Sequence, residues 1–355
     1  MTEGLTVGCH ALAEVGILVP APDDTDHIHS MFDREVSRFY AHVGETDRHQ
    51  FLLNLPPAQD PIAEQIHRLI GAMGDATTIT NSPLLGLLGI IGTNISLTHG
   101  RTSLSPLMYT LLGQGLIRRR AAYAEATALA TIALNLWEQH GQDGWAFGRM
   151  RVHHAWFILH WSAHIEDILT VAEDALILTR RAHDPIYGGY LLNIITIALY
   201  AMGRGTHQVL AAHARVVAHC KPFPAMEVIV GFTQCYAGAA AALRGETTSL
   251  TSLDGAFVDE GEFTARYRDM PMVLGLWQGA RVPLLGLAGC WQEVLDAADS
   301  DELAASPPFI PHRAIRFWRG VACAGLATLP GRPAQYRTEL AHAIEEMNTF
   351  LAAAE

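Results

Sequence analysis

The sequence has almost no lysine: Lys221 is the single lysine among 24 basic residues, and the others are arginines. No G-x-x-x-x-G-K pattern surrounds Lys221, so a nucleotide-binding P-loop has no candidate. A Schiff base with a substrate could form only at this lysine. Because alanine and glycine are also abundant, the preference for arginine indicates the codon bias of a GC-rich bacterial genome rather than a function.

Cysteine is scarce and signals for export are lacking. The five cysteines are odd in number and form no C-x-x-C pair, so neither a disulfide scaffold nor a cysteine zinc site is supported. No basic residue precedes Arg34, so we expect no signal peptide. The longest apolar stretch, 83–91, is too short to span a bilayer. We therefore expect a soluble, cytoplasmic protein. The cysteines are Cys9, Cys220, Cys235, Cys290 and Cys323.

Positive charge is also lacking, since the net charge is 24 − 36 = −12 with histidine neutral. This balance argues against nucleic acid or an anionic membrane as a partner. Half of the residues are hydrophobic and the mean hydropathy is +0.16. That composition excludes a disordered chain and indicates more buried or pocket-lining surface than is usual.

Strand signals are nearly absent, whereas helix-start signals recur. Asp60, Ser82, Ser105 and Asp184 each precede a proline, and such a residue can cap a helix that begins at the proline. Apolar residues then follow at helical spacing, and many of these runs stop at a glycine. We expect an all-α protein, with early helices near 27–43, 60–74, 83–98 and 104–118. The glycines at which runs stop include Gly100, Gly141 and Gly245.

Similar helix starts recur at Tyr123, Ile165, His207 and Trp291, with spacings of 42, 42 and 84 residues. A further step of this size reaches Pro333, and the missing member near Ser249 falls in a polar, glycine-containing stretch. A period of about 42 residues with two helices per unit predicts an α-solenoid, a tetratricopeptide-like superhelix of antiparallel helix pairs. We expect an N-terminal lead over residues 1–27, loosely held as far as residue 22, and a single helical-repeat domain over 28–355.

Three stretches carry a resemblance to a known family: Asn94 to Pro106, the His160-Trp161 pair, and Gly188-Gly189-Tyr190 after Asp184. They resemble the tetratricopeptide-like region of large bacterial signalling proteins that combine an AAA-type ATPase, a serine/threonine kinase and a sensor histidine kinase. The resemblance covers roughly residues 28–350 and implies a scaffold or sensing region whose ATP chemistry lies elsewhere. The chain would then be a piece of such a protein or a free-standing relative.

The densest cluster of reactive groups lies between residues 153 and 167. On a continuous helix, five of its side chains would fall within an arc of about 80° on one face. Such a stripe could act as a general acid/base array, because imidazole titrates near neutral pH. A helix packed between neighbours also uses such residues simply to fill its core, and the chain has 18 histidines. Trp161 occupies the glutamate position of H-E-x-x-H, so the zinc-protease pattern fails. The five are His153, Trp156, His160, His164 and Asp167.

Two further groups of residues are candidates for binding. Asp23 and Asp24 belong to a D-D-x-D run that could hold Mg²⁺ against a diphosphate, although capping of the next helix is the simpler interpretation. We therefore expect no metal and no cofactor, with Mg²⁺ at these aspartates as the alternative. Aromatic and arginine side chains could line a pocket for a planar or anionic ligand, although side chains with this spacing more often belong to the repeat core and to solvated helix faces. They are Trp156, Trp161, Tyr190, Trp277, Trp318, Arg268 and Arg316.

No hydrolase, dehydrogenase or kinase signature is present. The first hypothesis is therefore a non-catalytic module of signalling type, whose concave face binds a small apolar or aromatic ligand or a protein partner. The alternative is a free-standing enzyme of secondary metabolism that uses an apolar cavity for cyclisation or isomerisation. In that case His153, His160, His164 and Asp167 would be catalytic. A homodimer is compatible with the sequence but is not required by it.

Overall fold

The computed structural model describes residues 2–44, 47–140, 144–304, 309–329 and 334–354. Within these ranges the chain forms helices and two isolated backbone bridges, Pro57 with Arg101 and Thr247 with Gly255, but no strand. The prediction of an all-α protein is confirmed. Gly141 and Pro333, named above as a helix stop and a repeat position, lie outside the described residues.

The chain divides into two compact units, whereas the sequence predicted a single repeat domain after residue 27. The first unit comprises Met1–Leu159 and Ile177–Asp184, and the second comprises His160–Leu176 and Pro185–Glu355. Each unit has a hydrophobic cluster of its own, which is the physical basis of the division.

The first unit is built on a tight pair of helices in the middle of its sequence. Nearly every side chain of α5 and α6 is buried, and the neighbouring helices pack around them. A π-helical turn, His154–Ile158, and a 3-10 turn, Leu159–Trp161, follow the last of these helices. The helices are α1 (Thr2–Glu14), α2 (Thr25–Val43), α3 (Arg48–Leu53), α4 (Pro61–Ile79), α5 (Leu84–His99), α6 (Ser105–Arg120), α7 (Tyr123–His140) and α8 (Gly144–His153).

The second unit is also built of closely packed helices. It contains α9 (Ile165–Arg181) up to Leu176, α10 (Pro185–Ala201), α11 (Thr206–Cys220), α12 (Glu227–Leu243), α13 (Glu260–Arg266), α14 (Pro271–Leu287), α15 (Trp291–Ala298), α16 (Asp301–Ala304), α17 (Ile310–Ala327) and α18 (Gln335–Ala354). Helices α10, α11 and α12 pack on one another in chain order, and α17 packs on α14 and α18.

The start of the chain is not a loosely held lead. Thr2–Glu14 forms α1, which packs on α4. Leu5 and Leu12 are 2% and 0% exposed and belong to the core of the first unit. The expectation for residues 1–22 was wrong because Leu5 and Leu12, seven residues apart, lie on one face of a helix and are buried in that core.

Helix boundaries follow the local signals in the sequence. The four early helices form where they were expected, and Asp60 caps α4 by accepting a hydrogen bond from the backbone N–H of Ile62 at 2.9 Å. Gly100 ends α5 with a positive φ of 96°, a conformation that glycine adopts at little cost. Helices begin at Tyr123, at Ile165, beside His207 and at Trp291, whereas 247–259 is irregular.

One helical stretch among the described residues has the length and hydropathy to cross a membrane. It is Pro224–Leu243, a 3-10 turn continued by α12, with a mean hydropathy of 1.3 over its most apolar window. Of that window, 72% is buried inside the protein. Helix α12 packs on α10, α11 and α14, and a buried helix at the core of a soluble protein has the same composition.

Candidate ligand-binding cavity

The second unit contains an apolar cavity of about 410 Å³. A cavity of this size is within the range that binds small organic molecules. Residues of α10, α11, α12, α14 and α17, and of the turn between α10 and α11, form its walls. They are Ile197, Tyr200, Ala201, Gly203, Arg204, Gly205, Thr206, Val209, Tyr236, Ala240, Leu243, Gly279, Pro283, Leu287, Pro311, Ala314 and Trp318.

Trp318 is the large aromatic group of the wall contributed by α17. Its indole lies directly on the backbone of α14, because a Cβ atom added at Gly286 would be 2.1 Å from the ring. Any side chain at this position would displace the indole. The glycine therefore allows the close approach that places Trp318 beside the cavity.

Proline and glycine together interrupt the hydrogen bonding of α14 at the cavity wall. Pro283 lies inside the helix and has no N–H to donate to the carbonyl of Gly279, four residues earlier. A Cβ atom at Gly279 would lie 2.5 Å from the Cβ of Pro311 and 2.8 Å from the hydroxyl oxygen of Tyr236. The carbonyl of Gly279 therefore lacks the hydrogen bond that it would accept in a regular helix. Gly279 also lies in close contact with two other lining residues, Pro311 and Tyr236.

Two tyrosines line the cavity, and their hydroxyl groups differ. The Tyr200 hydroxyl donates to the carbonyl oxygen of Ala280 at 2.8 Å, whereas the Tyr236 hydroxyl has no hydrogen-bond partner within the described part of the chain. Their rings pack edge to face with centroids 5.2 Å apart. Burial raises the pKa of both hydroxyls far above the ordinary value for tyrosine, so both are neutral at physiological pH.

The one charged side chain of the lining is Arg204. It pairs with Glu166 at 2.6 Å, and both side chains are about half exposed. Leu243 and Leu287 also belong to the lining and are 44% and 58% exposed. The cavity therefore opens to solvent across an apolar edge whose single charge is already neutralised by a partner.

The histidine stripe does not form on one helix face. His153 ends α8, Trp156 lies in the π-helical turn, and His160 lies in the 3-10 turn. His164 precedes α9, where its Nδ1 accepts a hydrogen bond from the backbone N–H of Glu166 at 3.2 Å, and Asp167 lies exposed in the first turn of α9. The expected arc assumed one continuous α-helix. The change of helix type and the break before α9 remove it.

Within the first unit, the buried members of this segment have structural contacts. The Nδ1 atom of His153 lies 2.9 Å from the Oε1 atom of Gln114. Trp156 is 1% exposed and stacks on Phe157, with centroids 5.7 Å apart. Burial lowers the pKa of His153 and of His154 to about 3. Neutral, enclosed imidazoles of this kind are typical of a core.

Within the second unit, His160 is fully enclosed and packs against Trp161, with ring centroids 4.6 Å apart. Neither ring nitrogen has a hydrogen-bond partner among the residues that the structure describes, and Arg313 donates to the backbone carbonyl of His160. Burial, together with the charge of Arg313, holds the pKa of this imidazole well below its usual range. Neither ring lines the apolar cavity.

Of the predicted ligand-binding residues, the structure places Trp318 in the wall of the cavity. Tyr190 stacks on Phe232 with centroids 6.2 Å apart, and Trp277 stacks on Phe263 at 5.0 Å. Both are at most 5% exposed and pack inside the second unit. Both are core residues, because a large aromatic side chain buries much apolar surface when it packs inside the protein.

The predicted arginines lie outside the cavity. Arg268 is exposed, and its Nε donates to the carbonyl of Ala265 at 3.2 Å. Arg316 pairs with Glu346. Neither side chain lines the apolar cavity.

Of the two aspartates near the start of the chain, Asp24 has the expected capping role. Asp24 caps α2 by accepting a hydrogen bond from the backbone N–H of His27 at 3.2 Å, and Asp23 is exposed beside it. Within the described ranges no group of three or more histidine, cysteine, aspartate or glutamate side chains could hold a metal ion. The structure therefore adds nothing to the Mg²⁺ alternative.

A second cavity, of about 370 Å³, lies in the first unit and is more polar. Glu64 at its wall accepts hydrogen bonds from both the hydroxyl and the backbone N–H of Ser103, at 2.7 and 3.2 Å. His140, which also lines it, directly precedes residues 141–143, which the structure does not describe.

Sequence reasoning missed the three residues that make the apolar cavity distinctive: Tyr236, Gly279 and Pro283. A proline in the middle of an apolar helix, four residues after a glycine, was a readable local signal. Tyr236 had no such signal, because its surroundings depend on the packing of α12 against α14. Comparison with protein-family models, curated proteins and solved structures gave no match to this chain.

Proposed function

We propose that this protein is a non-catalytic binding module whose second unit holds a small apolar ligand in the cavity beside Trp318. The observation that carries the proposal is an apolar cavity of about 410 Å³ with exposed leucines at its edge. Apolar surface left accessible to water costs free energy, which a ligand of matching shape recovers on binding. A cytoplasmic location is part of the proposal.

The regular spacing of several helix starts supports a repeat architecture for this binding module. Starts at Tyr123, Ile165 and Thr206 follow a period close to 42 residues, as in a solenoid of antiparallel helix pairs. We extend the proposal to that architecture and to kinship with the helical-repeat regions of bacterial signalling proteins. In such a protein, ligand binding would be the sensing step.

The enzyme alternative has no comparable support. His153, His160, His164 and Asp167 do not line the apolar cavity. An acid/base catalyst must come within hydrogen-bonding distance of its substrate, and these side chains are not placed to do so in this cavity.

A neutral fluorescent probe tests the proposal directly. We expect N-phenylnaphthylamine to bind the wild-type protein with an increase in its emission, because it fits an apolar cavity and carries no charge. Ala314, a half-buried residue of the lining, is changed to phenylalanine to fill the space. We expect Ala314→Phe to weaken probe binding at least about tenfold through loss of apolar contact.

The matched control is Ala324→Phe, the same change on the same helix at a half-buried position outside the lining. This variant should bind the probe as the wild type does, and circular dichroism should show that both variants keep their helices. Absence of probe binding by the wild type would overturn the proposal, as would binding that Ala314→Phe leaves unchanged.

A further inference from the structure

A buried polar group belongs to the largely apolar wall of the cavity. The Tyr236 hydroxyl is buried and has no hydrogen-bond partner among the described residues. It lies 2.8 Å from the Cβ position of Gly279, and both residues line the cavity. A buried hydroxyl without a partner costs free energy, so its persistence in a cavity wall points to a group that the ligand supplies.

The backbone carbonyl of Gly279, another residue of the lining, lacks its regular helical donor. The proline at position 283 cannot donate the hydrogen bond that this carbonyl would accept in a regular helix. Two residues of the lining that contact each other therefore carry one donor, the Tyr236 hydroxyl, and one acceptor, the Gly279 carbonyl. Few groups on a small molecule satisfy both at once.

From this arrangement, and resting on the proposed function, we infer that the ligand is a neutral apolar alcohol or phenol. Its hydroxyl oxygen accepts a hydrogen bond from Tyr236, and its hydrogen is donated to the Gly279 carbonyl. A ketone would satisfy Tyr236 alone. A cationic amine would find no carboxylate in the lining, and a carboxylate would find only Arg204, which is already paired with Glu166.

The test compares para-hexylphenol with hexylbenzene, which have the same apolar body and differ by the hydroxyl. Each displaces N-phenylnaphthylamine from the wild type and from Tyr236→Phe. We expect the ratio of phenol affinity to hydrocarbon affinity to fall about tenfold in Tyr236→Phe, because the variant keeps the ring and loses the donor. Using the ratio cancels the difference in water solubility between the two compounds.

Tyr200→Phe is the matched control, since the Tyr200 hydroxyl already donates to Ala280. Its affinity ratio should stay within about twofold of the wild-type value. Hexylbenzene binding by Tyr236→Phe shows that the variant still forms the cavity. If the ratio is the same in Tyr236→Phe and the wild type while both compounds bind, the inference is wrong and the proposed function stands. If neither compound binds the wild type, the proposed function fails as well.

Discussion

At the scale of single residues, Arg149 forms a buried ion pair in the first unit. Its guanidinium lies 3.3 Å from carboxylate oxygens of both Asp75 and Asp184, and it stacks over Trp145 at 4.2 Å. The side chains of Arg149 and Asp184 are 8% and 7% exposed. Two opposite charges removed from water in this way depend on each other, because neither is solvated alone.

We expect Arg149→Met to lower the free energy of unfolding by about 3–5 kcal/mol, since it leaves the buried Asp184 charge without its partner. Arg149→Met combined with Asp184→Asn should recover part of that loss because the unpaired charge is removed. The measurement is urea unfolding followed by circular dichroism.

Arg215→Met serves as the control, because the pair of Arg215 with Glu173 is 43% and 48% exposed. Exposed ion pairs contribute about 0–1 kcal/mol. Equal losses in Arg149→Met and Arg215→Met would contradict the interpretation that burial makes the difference.

At the scale of elements, glycines bring α5 and α6 into backbone contact. A Cβ atom at Gly86 would lie 2.8 Å from the Cα of Gly115, and one at Gly89 would lie 2.5 Å from the backbone nitrogen of Leu112. Backbone atoms cannot move aside as flexible side chains do. The spacing of the two helices therefore depends on the missing side chains.

We expect Gly89→Ala to destabilise the protein by about 1–3 kcal/mol, the range for overpacking a core, because the methyl group forces α5 away from α6. Gly4→Ala is the comparison: Gly4 lies in α1 with nothing within 4 Å of its Cβ position. There the same change should be neutral or stabilise by up to about 1 kcal/mol. Thermal unfolding of both variants measures this, and a stabilised Gly89→Ala would refute the close contact.

The histidine segment shows why the exact helix type is harder to predict than the presence of a helix. The five residues from His153 to Asp167 follow one another at intervals of three to four, which predicts one helix face if the helix is regular. The π-helical turn at His154–Ile158, which packs on α6, α7 and α8, breaks that regularity. No residue between 153 and 160 is a proline or a glycine that would have indicated it.

At the scale of the whole molecule, buried neutral histidines couple stability to pH. Burial lowers the pKa of His67 and His213 to about 4 and the pKa of His153, His154 and His312 to about 3. In the unfolded chain each would titrate near 6.5. As the pH falls below that value, the unfolded chain takes up protons that the folded protein does not, so folding is disfavoured.

We therefore expect full stability above about pH 7 and a progressive loss as the pH falls from 6.5 towards 4. Each such histidine contributes at most about 1.4 kcal/mol per pH unit. Urea unfolding at pH 7.5, 6.5 and 5.5 at constant ionic strength measures this loss. Most carboxylates titrate below this interval, so a free energy of unfolding that does not change with pH would contradict the prediction. His213→Gln should show a shallower dependence than the wild type.

The sequence by itself determined the helical class, the early helices and the regular helix starts. These features depend on capping residues, prolines, glycines and apolar spacing, which act within a few residues of one another. It did not determine that α1 joins the core, that the chain divides into two units, or that Trp318 lines a cavity while Tyr190 and Trp277 are core residues. Those outcomes depend on which helix faces meet. Tyr236 and Gly279 come into contact because tertiary packing brings α12 against α14, and spacing along the chain carries no record of that contact.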